Sequence, residues 1–332
     1  MRTRSIVLGA TFIAMLAGAA YAQPRNQPQV SPDEQKAAQA IAAAADNAAK
    51  LKAATDFIKK YPKSSLRPMI ARGFANHISS MTDAAQKATA AQSYKELFKE
   101  PSEQEIIAPI EIEALAAAKR PDDAFAAGTA HLAKNPESLP VLVQLVATGT
   151  DEAKNRNGKF VAQSVQYGTH AIQIIESDKK PADVDDAGWT SYKTTVLPSL
   201  YQSLGLLNLV GGDRAKAKAN YLKASEISPT DPFNFVMLAG MLNDEYQTEA
   251  KRYQGMPNGP ARDEELKKAQ AILDAVIDAY AHAIALSETT ASLQTVRQQY
   301  MQDLEAYYKY RHNGSTAGMQ ELIGKYKAPA KP

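Results

Sequence analysis

Tyr201–Pro229 reads YQSLGLLNLVGGDRAKAKANYLKASEISP, and it carries the clearest structural message in the chain. Its apolar and small residues recur at intervals of three and four, which places them on one face of a helix. Gly211-Gly212 interrupts the first run, and Gly212 can take the left-handed conformation that ends a helix. Asp213 follows as a cap for a second helix, along which lie Ala217, Tyr221 and Ala224. Pro229 stops that helix, because its ring and missing N–H cannot continue the ladder. The stretch is therefore a helix, a tight turn and a second helix.

The pattern resembles a tetratricopeptide repeat, the 34-residue helix–turn–helix unit. The matching residues are Tyr201, Leu204, Gly205, Gly212, Ala217, Tyr221, Ala224 and Pro229. Asn208 departs from it, since the family usually has an aromatic there. The resemblance implies that Gly205 and Ala217 are small because the two helices cross at them. Thirty-four residues after Tyr201 stands Phe235, with Leu238 and Ala239 in the places of Leu204 and Gly205. Tyr280, Ala283 and Leu286 supply the second-helix rhythm of that unit. The delay between them is read as an inserted exposed loop over 247–262, which contains Gly255, Pro257, Gly259 and Pro260.

Upstream the motif thins. Ser31-Pro32-Asp33-Glu34 has the Ser, Pro and Glu of a capping box, so a helix starts there. Breakers at Tyr61-Pro62, Glu100-Pro101, Arg120-Pro121, Asn135-Pro136 and Lys180-Pro181 then divide the chain into helix-length pieces. The 59 alanines favour helix, and β-branched runs of period two are nearly absent. The expected fold is all-α, a solenoid of stacked antiparallel helix pairs. The expected organisation is a degenerate helical-repeat region over 31–197, repeats over 198–290, capping helices over 291–323 and a frayed basic tail over 324–332.

The N-terminus reads as an address. Arg2 and Arg4 precede an uncharged apolar run, Ser5–Ala20, and Ala20-Tyr21-Ala22 has the small-x-small form of a signal-peptidase site. Residues 1–22 are expected to be a signal peptide cleaved after Ala22, followed by a flexible leader over 23–30. The mature chain is expected in the bacterial periplasm or outside the cell, without a membrane span.

By the resemblance, the first helix of each unit lines a concave groove. That groove would carry Ser199, Gln202, Leu206, Leu209, Phe233, Val236 and Asn243, an apolar strip with amides and few charges. Such a strip suits an extended peptide or a partner helix. The implied function is a non-catalytic scaffold or adaptor for protein partners in the cell envelope. The alternatives are a ligand- or glycan-binding surface on the tyrosines around Tyr300, Tyr307 and Tyr308, and an envelope enzyme with unrecognised residues.

Other classes lack their signatures. The chain has 38 Lys+Arg against 36 Asp+Glu, close to neutral, which argues against a nucleic-acid binder with its usual basic excess. It has no cysteine, which removes thiolate metal sites and thiol nucleophiles. Nucleotide-loop, zinc-protease and serine-hydrolase motifs are missing, and no cofactor is expected. Ser177-Asp178-Lys179-Lys180 matches S-x-x-K only formally. The run from Asp183 to Gly188 opens like a calcium loop, but its twelfth position is Thr194 instead of glutamate. His77, His131, His170, His282 and His312 are scattered without ligand spacing.

Overall fold

A computed structural model describes residues 30–181 and 184–327. The signal peptide, all of the leader but Val30, and residues 328–332 lie outside the described residues, as does Asp183. The fold is all-α: fourteen α-helices and two short 3-10 turns, with no strand among the described residues. Neighbouring helices pack against each other along the chain. The chain divides into two compact units, Met1–Val196 and Leu197–Pro332.

The first unit contains α1 (Pro32–Ala43), α2 (Asn47–Lys60), α3 (Arg67–Ser79) and α4 (Ala84–Leu97), then α5 (Pro101–Ala117), α6 (Pro121–Leu132), α7 (Leu139–Lys154) and α8 (Val161–Glu176). The starts follow local chemistry. Ser31, Asp46 and Asp83 each accept a backbone N–H from the first turn they cap. Glu100 and Glu103 form the reciprocal capping box of α5. Odd-numbered helices start at 32, 67, 101 and 139, intervals of 35, 34 and 38 residues. Even-numbered helices start at 47, 84, 121 and 161, intervals of 37, 37 and 40. This near-constant period runs through the region where the sequence motif is faintest.

Burial separates α5 and α7 from α4 and α6. Along α5, Glu103, Ile107, Ala108, Ile110, Glu111, Ile112, Ala114 and Leu115 are all buried. In α7 the buried run is as dense, from Leu139 to Thr150. In contrast, α4 buries Lys87, Ala88, Ala91 and Tyr94, and α6 buries Ala124, Phe125, Gly128 and Leu132. Each of those two is a single helical stripe. The inner helices α5 and α7 are thus enclosed on most sides, and α4 and α6 cover them.

Close approach and charge pairing hold the inner layer. A Cβ on Gly149 of α7 would lie 1.8 Å from Ser164 Oγ of α8, so only glycine permits this spacing. Arg67 of α3 makes a two-pronged bond to Glu103 of α5 at 2.6 and 2.9 Å, linking two helices that are not consecutive in the chain. Lys87 and Lys95 of α4 pair with Glu113 and Glu111 of α5, which shows that these two helices are antiparallel. Phe57, Phe74, Tyr94, Phe98, Ile107 and Ile110 fill the core between them.

Helix α9 (Asp186–Val210) runs through the boundary between the units. The second unit continues with α10 (Arg214–Ile227), α11 (Pro232–Gln254), α12 (Pro260–Leu286), α13 (Gln294–Arg311) and α14 (Met319–Lys325). Gly205 meets Tyr221 where α9 and α10 cross: a Cβ there would sit 2.8 Å from the ring. Ala217, Tyr221 and Ala224 are fully buried, the positions that the resemblance matches along α10.

Two expectations need correction. Gln247–Arg262 is not an inserted loop: α11 continues to Gln254 and α12 begins at Pro260, leaving five residues between them. The extra residues lengthen both helices, because QTEAKRYQ is rich in helix formers and the Gly and Pro residues are confined to its far side. Lys268 reaches Glu249 at 2.7 Å and so fastens the extension. The tail is also ordered further than expected. Tyr326 stacks on His282 at 4.2 Å, and Lys327 pairs with Glu288 at 2.9 Å. By length and composition alone α12 would also suffice to cross a membrane, but half of its most apolar window is buried inside the fold, as in a core helix.

Candidate functional site

The six groove candidates do not form one open strip. Gln202 donates to Asp231 Oδ2 at 2.6 Å, tying α9 to the start of α11. Leu209 and Phe233 pack against Ala217, Tyr221, Leu238 and Met241, with the Phe233 ring edge-on to Tyr221. Leu206 is half-buried. Val236 is buried, and its carbonyl accepts from the Tyr300 hydroxyl at 2.9 Å. Asn243 Oδ1 accepts from the Tyr307 hydroxyl at 2.9 Å. Helix α13 therefore covers the part of α11 on which a peptide was expected to lie. Ser199, named with these six, is half-buried.

The geometry explains why α13 fits there. Residues 236 and 243 of α11 contact 300 and 307 of α13 at the same offset of 64, so these helices run parallel. Between them α12 runs the other way: Glu249 faces Lys268, and the Phe235 ring lies tilted against His282 at 3.7 Å. Tyr280 of α12 stacks on Tyr300 at 4.4 Å and on Tyr307 at 6.2 Å. Burial pushes the Tyr300 hydroxyl up to about 12 and raises that of Tyr280 further. Tyr300 and Tyr307 turn their ring faces to Tyr280 and their hydroxyls to α11, which leaves little for a glycan to stack on. Burial also lowers the pKa of His282, which is held between Phe235 and Tyr326.

In the first unit the enclosed helices leave one narrow face. Past its first turn and Glu105, α5 has solvent access at Ile106, Pro109 and Glu113, before Ala116 and Ala117 at its C-terminal end. On α7 the corresponding positions are Pro140, Gln144 and Ala147, followed by Asp151. Including Ser102, the two sets step by four, three and four residues and are displaced by 38, the interval between the helix starts. They are one repeated surface. The residues that carried the resemblance lie in the second unit and did not single out this surface, although it was legible: LPVLVQLVATGT is apolar all round except at Gln144 and the small residues beside it.

Glu105 sits beside that face. It receives His131 Nε2 at 2.7 Å, Asn135 Nδ2 at 2.9 Å and the Ser138 hydroxyl. Burial would raise its pKa, but these three bonds outweigh that and hold the carboxyl below the ordinary glutamate range. The cluster is a clamp between α5 and the α6–α7 turn. Ser138 and His131 each bond to the carboxylate, so the histidine does not activate the serine as a hydrolase requires.

The remaining chemistry-bearing motifs are engaged structurally. Ser177 donates to Ile174 O, and Lys180 pairs with Asp186. Asp185 caps the turn at Gly188. Trp189 is buried against Tyr192 and donates to Asp178 at 2.8 Å. A cleft of about 560 Å³ lies between α12, α13 and α14, with Asp274, Asp278, Glu321, Tyr308, His312 and Lys325 in its wall. Asp274 is bound there by both arms of Arg311 and Asp278 by Tyr326. No cluster of three metal-ligating side chains occurs among the described residues. No family model matches the chain, and no curated protein matches it in sequence.

Proposed function

We propose that the chain is an exported, non-catalytic, tetratricopeptide-like repeat protein that holds a protein or peptide partner in the cell envelope. The observation that carries this reading is the repeated face on α5 and α7, offset by one period on helices that are otherwise enclosed. A surface repeated at the period of the fold can meet an extended chain at equivalent points, which is how stacked helix pairs bind. Pro109, Pro140 and Ala147 make it shallow and apolar, and Gln144 adds an amide for backbone hydrogen bonds.

The test is capture of partners from envelope extract by the mature chain, residues 23–332. Ala147→Arg and Gln144→Leu are expected to abolish specific capture while circular dichroism stays unchanged. Phe233→Asp, which lies in the Tyr221 cluster, is expected to lower stability first. Capture that survives both α7 changes would overturn the assignment of this face. Export is tested separately, by sequencing the N-terminus of the protein from the periplasmic fraction. Gln23 as first residue supports it, and a retained Met1 refutes it.

A further inference from the structure

The chain has three Asn–Gly pairs, 157–158, 258–259 and 313–314. In such a pair the glycine nitrogen can attack the asparagine side chain, because no Cβ on the following residue obstructs it. The three sites differ in whether the fold restrains or assists that attack. At Asn157 the side chain is held at both ends: Nδ2 donates to Glu152 at 2.7 Å, and Oδ1 accepts from Lys159 N at 3.2 Å. At the third site the nucleophile is occupied, since Gly314 N donates to Lys309 O at 2.8 Å.

Asn258–Gly259 is arranged otherwise. Asn258 is exposed in the five-residue turn between α11 and α12. Gly259 is the N-cap of α12, and its N–H has no partner among the described residues. The Arg262 guanidinium donates to Asn258 Oδ1. The Tyr253 ring, 4.7 Å from the guanidinium carbon, steadies that cation. A positive donor on the carbonyl oxygen and the positive end of a helix both favour negative charge developing at this carboxamide.

We propose that Asn258 is a self-modifying site that loses its side-chain amide with Arg262 as the assisting group. The Gly259 nitrogen forms a bond to Asn258 Cγ and gives up its proton. The Cγ–Nδ2 bond breaks, and ammonia carries that proton away. Water then opens the succinimide at either carbonyl, leaving aspartate or isoaspartate at 258. No oxidant or reductant takes part. The product carboxylate faces Arg262 and the N-terminus of α12, so the fold stabilises it as well. Tyr253 is a positioning residue, acting only through Arg262.

The purified mature chain is incubated at neutral pH, and the gain of one mass unit and the isoaspartate content are followed at all three sites. Asn258 is expected to convert first. Arg262→Ala is expected to slow it about three- to tenfold, less than loss of a donor from a sealed oxyanion site because this turn is solvated. Arg262→Lys should restore part of the rate. Tyr253→Leu should slow conversion at 258 and leave Asn313 unchanged. The urea-unfolded chain provides the reference without the fold. Conversion at 258 that is slower in the folded protein than in urea, or unaffected by Arg262→Ala, would overturn the proposal.

Discussion

The two units differ in opposite ways from a regular repeat. In residues 31–196 the helices keep an interval of 34–40 residues, while the residues at their crossings depart from the motif. In residues 197–327 the crossing residues Gly205, Ala217 and Tyr221 match, but α11 and α12 grow to 23 and 27 residues and the interval stretches. A motif reports what fills the point where two helices meet. A period reports how long the helices are. Either can persist while the other decays, since a crossing can be made by Gly149 against Ser164 as well as by Gly205 against Tyr221.

The strongest challenge to this comparison is at Gly149. Gly149→Ala places a carbon 2.8 Å from Ser164 Cβ and 3.3 Å from the Phe125 ring, as well as on Ser164 Oγ. It is expected to cost about 3 kcal/mol in urea denaturation. Adding Ser164→Gly should return a substantial part of that, as a double-mutant cycle would show. A cost below that of an ordinary surface change would mean the first unit does not depend on this crossing.

Next come the ion pairs. Glu103 is nearly sealed and serves both Arg67 and the capping box, so Glu103→Ala should cost about 2–3 kcal/mol. Asp274 pairs with Arg311 with the same two-armed geometry but half exposed, and Asp274→Ala should cost under about 1 kcal/mol. Equal losses would erase the distinction between the units. Gly205→Ala presses on a Tyr221 ring, and a cost of about 1–2 kcal/mol is expected.

The Glu105 clamp sets a pH dependence. Its carboxyl titrates below the ordinary range when folded, so its contribution is complete above that range and is lost as pH falls from there through the lowered folded value. Stability measured from pH 7 to 3 should therefore decline less steeply in Glu105→Gln than in the parent chain. A parallel decline in both would remove the clamp from the account. The smallest effect is expected at Gly73, an exposed position within α3 whose added Cβ meets nothing within 4 Å. Gly73→Ala should stabilise by about 0.5–1 kcal/mol through helix propensity alone. A loss there would reveal a contact on that face.

Much of the fold could be read along the chain because its causes are local. Capping residues at 31, 46, 83 and 213, prolines at the helix starts and the 59 alanines dictate helices wherever they fall. The Tyr201–Pro229 reading located a close crossing correctly, since small residues opposite a tyrosine leave a recognisable pattern. The groove did not follow from the same evidence. Whether Val236 and Asn243 face solvent depends on Tyr300 and Tyr307, 64 residues further on, and no local rule announces which helix will return to lie beside them. The half-exposed face on α5 and α7 left only a faint trace in the sequence, Gln144 within an apolar run, because exposure is what remains after every neighbour has packed. Helix formation is a property of adjacent residues, whereas a surface is settled by what distant segments leave uncovered.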